Sequence, residues 1–348
     1  ANLPSVDVIP SEHFNTVLYT GNDSANVITG VGFKSDLSWW KKRNSAADHA
    51  LIDSVRGVTK HLVSNTTTAE VTASSGTELV SFDSDGFTLG ATNQTNSING
   101  PSASIVSWNW KAGGSAVSNT NGSITSSVSA NAAAGFSIVS YTGTGVLAAT
   151  IGHGLAQKPE LIIRKDRDTA VNWVVNSTVL GTGNMNQGLF LNTTAAIDTA
   201  QGWMNNTAPT STVFTQGSQV FVSVNGRDYI SYCFHSVEGY SLVGKYTGNG
   251  SADGPYVHCG FKPAFILTKR SDGTSPWRLF DNKRPDANFQ TYKLEADSSG
   301  AELTGYPYAD FLSNGFKIRD NGSYQNANGG TYVFYAIAET PFKHSNAR

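Results

Sequence analysis

The chain has 348 residues and a net charge of −2, and only 14% of its residues are charged. Near-neutrality without a basic run excludes nucleic acid as a main partner, because phosphate binding needs clustered Lys and Arg. No stretch approaches the roughly 20 apolar residues of a membrane span, and recurrent β-formers and aromatics at so small a net charge exclude disorder.

Ala1-Asn2-Leu3-Pro4 begins without Met and shows no basic segment followed by an apolar one, so it carries no signal peptide and reads as cut from something longer. The first strand ends in Tyr19-Thr20-Gly21. Gly32-Phe33 then leads into an apolar strand that closes on Lys41. Alternation within it places Trp39 inward and Trp40 outward. An outward tryptophan needs cover from another module, another chain or a flat ligand such as a sugar ring. Trp40 is therefore a candidate ligand-binding residue. Strands follow at His49–Asp53 and Leu62. Next comes a hairpin with an Asp-Gly turn, Phe82-Asp83-Ser84-Asp85-Gly86-Phe87, and then the alternating strand Val106–Trp110.

The same succession returns twice. Tyr141-Thr142-Gly143 and Tyr246-Thr247-Gly248 repeat the opening. Gly154-Leu155 to Lys165 and Gly260-Phe261 to Lys269 repeat the lysine-ended strand. Trp173–Asn176 with Leu189, and Trp277–Asp281 with Leu294, repeat the next pair. Phe311-Leu312-Ser313-Asn314-Gly315-Phe316 repeats the hairpin with an Asn-Gly turn, and Ile230–Phe234 and Val333–Ile337 repeat the closing strand. A unit of roughly 105–120 residues is domain-sized. The expectation is an all-β chain of three tandem antiparallel sandwich or jelly-roll modules, at residues 1–114, 115–238 and 239–348, with about seven strands in each. Helical turns are expected only around Ala46–Ala50 and Ala195–Thr199. Ser123–Ser129 reads as an extra strand leading the second module. Val333–Ile337 is apolar on both faces, so another layer must cover it.

The joint between the second and third modules is very short, which predicts a buried interface there and a freer first module. Three internal copies can also imitate a trimer within one chain, with pseudo-threefold packing.

Chemical motifs are sparse. Seven histidines lack zinc spacing, and Cys233 and Cys259 read as free, partly buried thiols of a reducing compartment. Nine Asn-x-Ser/Thr triplets carry little weight in a chain so rich in Asn, Ser and Thr. Asp83-Ser84-Asp85-Gly86 is a turn rather than a calcium loop, lacking the later acidic ligand. Asp53, Asn176 and Asp281 take equivalent places, as do Lys41, Lys165 and Lys269, and the expectation is a lysine-to-carboxylate or lysine-to-amide contact within each module. No nucleophile elbow or P-loop is present. The sequence points to no enzyme, no cofactor and no metal. Besides Trp40, Trp203 and the pair Tyr306 and Tyr308 lie in loop insertions as candidates for receptor contact.

Gly32-Phe33-Lys34-Ser35-Asp36-Leu37, Asp53-Ser54-Val55-Arg56-Gly57, Leu62-Val63-Ser64-Asn65-Thr66-Thr67, Ser81–Phe87 and Trp108-Asn109-Trp110-Lys111-Ala112-Gly113-Gly114 resemble a repeat of structural proteins from tailed, often marine, bacteriophages. Ala338-Glu339-Thr340-Pro341-Phe342-Lys343 is similar to that family's usual ending. Segments similar to Ala1–Pro4 and His13–Tyr19 often follow a SPRY-like (concanavalin-like) module there. The resemblance covers nearly the whole chain. It implies a virion protein assembled in the host cytoplasm: a tail-fibre, spike or appendage component adhering to a host-surface glycan or protein receptor. The alternatives are a capsid decoration, cement or head-fibre protein, and a polysaccharide-degrading tailspike. The implied partners are other virion proteins, with a homo-oligomer open.

Overall fold

In the computed structural model, which describes residues 8–339 except 93–97, 182–184, 200–201, 218, 220 and 286–288, one five-strand antiparallel order occurs three times. In the first sheet the strands run Phe14–Thr20, Ser104–Trp110, Leu37–Lys42, Ala50–Asp53 and Lys60–Leu62, followed by a short edge strand at Val71–Thr72. The second sheet repeats this as Phe136–Thr142, Asp228–Phe234, Leu161–Asp166, Val174–Ser177 and Gly188–Phe190. The third is Ser241–Thr247, Thr331–Ala338, Pro263–Arg270, Arg278–Asp281 and Leu294–Glu295. The extra strand expected before the second copy is present as Ser126–Asn131, itself paired with Val117–Asn119. Helix is confined, among the described residues, to a 3-10 turn at Pro10–Glu12 and one turn at Ser323–Asn326. Neither Ala46–Ala50 nor Ala195–Thr199 is helical. The first is irregular chain up to the strand that starts at Ala50, and the second is irregular apart from a bridge at Asp198.

Register fixes the equivalences. Leu37 faces Asp53, Leu161 faces Ser177 and Phe265 faces Asp281. The partner of Asp53 and Asp281 in the second copy is thus Ser177, not Asn176. A shift of one residue turns a strand side chain to the other face. Accordingly Asn176 points into its own sandwich, where its Nδ2 donates to the carbonyls of Met185 and Gln187.

A small sheet covers the outer face of each large one. The first contains Asn26–Thr29, Gly86–Leu89 and Leu79–Asp83. The second has only Thr150–Gly152 and Val213–Thr215. The third has Tyr256–His258, Gly315–Ile318, Ala309–Leu312 and Phe289–Gln290. The expected hairpins turn at Ser84-Asp85 and Ser313-Asn314. Gly86 and Gly315, the residues that follow, lie so close to the carbonyls of Ile28 and Val257 that no Cβ fits. Position for position, the outer faces share volume: Trp40 opposes Ala50, Arg164 opposes Val174, and Thr268 opposes Arg278. A core at crystal-like density accepts one large side chain in such a pair, not two.

The inner faces of the three large sheets meet in one apolar core that contains Trp39, Trp108, Ile163, Tyr232, Leu267 and Tyr335. Phe265 of the third sheet packs at 5.3 Å from Phe14 and 5.6 Å from Trp110, and Phe234 lies 4.8 Å from Tyr335. The equivalent residues Trp39, Ile163 and Leu267 line a small apolar void of about 20 Å³ at the meeting point. Both faces of each large sheet are therefore covered, including that of the two-faced strand Val333–Ile337.

Equivalent hydrogen bonds close the arrangement into a ring. Trp173 Nε1 donates to Val63 O at 2.8 Å, Trp277 Nε1 to Phe190 O at 2.8 Å, and His49 Nε2 to Glu295 O at 3.0 Å. The amides of Glu70, Ile197 and Glu302 donate to the carbonyls of Arg167, Ser271 and Arg43. The first sheet, with a neighbour on both sides, is held as firmly as the others and is not the freer one that joint length suggests.

Candidate functional site

The equivalent lysines do not reach the equivalent carboxylates. Lys41 Nζ donates to the carbonyls of Lys42 and Ser299, Lys165 to those of Asp166 and Thr169, and Lys269 to those of Thr194 and Ser275. Burial lowers all three to about 8. Two of them bridge neighbouring sheets instead of making the expected contact within a module.

The carboxylates belong to two matching ionic chains between sheets. Asp53 Oδ2 pairs with Arg56 Nε at 2.5 Å, Arg56 with Glu70 at 3.2 Å, and Glu70 with Arg167 at 2.8 Å. Tyr232 Oη completes the set by donating to Asp53 at 2.8 Å. At the equivalent place Asp281 pairs with Arg284 at 2.6 Å, Arg284 with Glu302 at 3.0 Å, and Glu302 with Arg43 at 2.8 Å; Trp108 Nε1 donates to Asp281 at 2.9 Å. Burial alone lowers the Arg56 guanidinium, but Asp53, Tyr232 and Glu70 together outweigh it and the net shift is upward. The third interface replaces the chain with Ser177, Leu180, Ile197 and Ser271, which is apolar at its centre. These acids are enclosed and committed to arginine, which removes them from acid–base chemistry with a ligand.

Of the four candidate contact residues, Trp40, Trp203 and Tyr308 are buried and only Tyr306 is exposed. Trp40 is fully enclosed in the core between the first sheet and its own small sheet, with Phe87 at 5.3 Å. Its cover comes from its own module, so it presents no ligand surface. Trp203 is likewise enclosed, stacked on Phe221 at 5.7 Å in the core of the second sandwich. Both cysteines are buried and unbridged, and burial pushes each thiol up to about 12.

Tyr306 and Tyr308 stay together at the surface of the third sandwich. Their rings are 5.7 Å apart, with Tyr306 42% exposed and Tyr308 buried at the base. Tyr308 is fixed by its backbone: its amide donates to Gln290 O and its carbonyl accepts from Arg319 N. Arg278, on the outer face of its strand, places its guanidinium 5.5 Å from the Tyr308 ring and 5.4 Å from Tyr324, which is 50% exposed. Asp320 and Gln325 hold Arg278 Nη1, and Lys293 Nζ lies 5.2 Å from Tyr308. Burial and the Arg278 charge lower the Lys293 ammonium, against the pull of Glu295. Tyr306 Oη reaches Asn321 Oδ1 at 3.4 Å. The result is two exposed rings, Tyr324 against a buried cation and Tyr306 against Tyr308, edged with amide and hydroxyl groups. Such faces stack on the C–H face of a pyranose while the rim exchanges hydrogen bonds. Sequence reading missed Arg278, Lys293, Asn321 and Tyr324. Arg278 stood in an apolar run on the outward face, and that was the available signal.

Open clefts of about 600 and 590 Å³ lie at the two joints, one beside Val237, His258 and Asn314, the other beside His13, Lys34 and Gly113. Asp36 ties the first joint by accepting from the amides of Ala112 and Gly114. Glu160 ties the second through Ser236 N.

A family profile, a domain of unknown function (DUF7483), matches residues 9–341 and so runs through all three sheets. The chain belongs to this family. No curated protein and no solved structure matches it.

Proposed function

We propose that the chain is a structural protein of a bacteriophage virion, a tail-fibre, spike or appendage component that adheres to host-surface glycan through Tyr306 and Tyr324. The observation that carries the adhesive part is the distribution of exposed aromatics. Among the described residues Tyr256, Phe289, Tyr306 and Tyr324 are the exposed large aromatics, and all four fall in the third repeat, in its small sheet or in the loops and helical turn beside it. The first two pairs expose only aliphatic side chains such as Val27 and Val117. Three sheets locked around one core supply a rigid base, and a fixed ring costs little entropy on binding. The virion assignment rests on the repeat motifs, and other virion proteins are its partners. A weak single site gains from display in many copies on one particle.

Purified protein applied to host cells and to a glycan array tests the reading. Binding that Tyr306→Ala and Tyr324→Ala abolish, without loss of thermal stability, supports it. Absence of binding, with the chain located on the capsid of purified particles, overturns adhesion in favour of a decoration or cement role.

A further inference from the structure

Four arginines are buried among the described residues: Arg56, Arg164, Arg278 and Arg284. Three pair with a carboxylate, Asp53, Asp320 and Asp281 respectively. Arg164, with no measurable exposure, pairs with none. Its Nη2 points at Met204 Sδ, 3.2 Å away, and its guanidinium lies 5.1 Å from the centre of the Phe214 ring. Nε and Nη1 have no hydrogen-bond partner. The residues of this part of the chain outside the described set, 182–184, 200–201, 218 and 220, include no Asp or Glu.

Arg164 is not required by the fold, because Trp40 and Thr268 fill the equivalent places. It sits in a neighbourhood of further unsatisfied groups. Ser231 is its direct strand partner, and Ser231 Oγ is unpartnered. Tyr141 packs on the same Phe214 ring, and its buried hydroxyl is unpartnered too. Gln216, two residues beyond Phe214 along the strand direction, is fully buried with both amide atoms unpartnered. Burial raises the Tyr141 phenol, while the Arg164 charge and the approach of Ser231 and Arg164 to its hydroxyl lower it, so the three polar groups are neighbours although none makes a well-formed hydrogen bond with another. A buried guanidinium without a counter-charge is among the costliest groups a core can hold. Hydroxyls and an amide that can all donate complement a negative occupant.

We propose that the second sandwich encloses a binding site for a small inorganic anion of halide size, held by Arg164 Nε and Nη1 with Tyr141 and Ser231 donating. The occupant is small because Met204 and Phe214 already close on the guanidinium. It is an anion rather than water because water would leave the charge uncompensated. The site is independent of the proposed surface adhesion.

Crystals grown in sodium bromide give the direct test. An anomalous peak within roughly 3.5 Å of Arg164 Nε or Nη1 is expected, and a water at that position overturns the proposal. In solution, thermal unfolding in sodium chloride is compared with sodium gluconate at equal ionic strength. The midpoint should be higher in chloride by about 2–4 °C, as for a ligand that binds only the folded state. Arg164→Met should abolish the difference, and Tyr141→Phe should reduce it if the first variant does not fold. Equal midpoints for the unaltered protein in the two salts overturn the proposal.

Discussion

His49 donates from Nε2 to the carbonyl of Glu295, 246 positions along the chain, while its Nδ1 accepts from Trp39 Nε1 at 2.8 Å. An indole can only donate, so the imidazole proton must sit on Nε2. The residue is neutral by construction, and burial, with the Lys41 charge, pushes its pKa down to about 3. The other two sheets use Trp173 and Trp277 at this place, each beside a smaller neighbour, Ile163 or Leu267.

Acid should therefore open the body at this seam. A folded pKa of about 3 against 6.5 unfolded means that stability is complete above pH 6.5 and is lost as pH falls toward 3. The loss is up to about 4 kcal/mol. His61 and His153, lowered to about 4 by burial, act in the same sense. Urea unfolding at pH 7, 5.5 and 4.5 measures the slope. His49→Trp alone should overpack Trp39 at a cost of about 1–3 kcal/mol. The double change W39I/H49W should recover that loss and flatten the acid limb.

Asp297 accepts from the amide of Trp277, where Asn65 and Asn192 accept from His49 and Trp173. Burial raises its carboxyl to about 6. A raised pKa adds stability below the unfolded value of 3.8, and that contribution is lost as pH rises through 6. At pH 7 the charge is a cost, and Asp297→Asn should stabilise by about 1–2 kcal/mol. The gain should vanish near pH 4, and equal gains at both pH values would refute an electrostatic origin.

Arg284→Ala leaves Asp281 buried without its counter-charge, while Glu302 keeps only Arg43, and should cost about 3–5 kcal/mol. Copying the apolar interface through R43S, D281S, R284L and E302I should regain most of that, since all four charges leave together. Trp108 Nε1 then lacks its acceptor, so recovery should stop about 1 kcal/mol short. Denaturant midpoints of the two variants decide the matter.

Limited proteolysis should nick the exposed strip around residues 115–120 first, because its edge strand is short and solvent-facing. The fragments should stay associated on gel filtration, held by the ionic seam and the common core. Dissociation of the first sheet pair after a single cut would show those contacts to be weaker than their burial implies.

Single-residue changes Tyr306→Ala and Tyr324→Ala should alter the melting point little, as both residues are about half exposed at the surface. They should nonetheless lower glycan binding by at least tenfold. Unchanged binding in both would move adhesion away from this surface.

The strands, their order of recurrence and their turns were legible in the sequence because each depends on local chemistry. Period-2 alternation marks Val106–Trp110 and Ile230–Phe234, and the Asp-Gly and Asn-Gly pairs mark the hairpins at Gly86 and Gly315. Which face is outside was not legible. Alternation distinguishes two faces of a strand but does not say what covers either. Trp40 read as outward is buried because its own small sheet covers that face, while Trp39 faces the core shared by three sheets. The ionic chains were equally hidden, since Arg43 and Glu302 stand 259 positions apart. Only the closing of the ring brings such residues within 3 Å, and closure depends on the packing of all three inner faces at once.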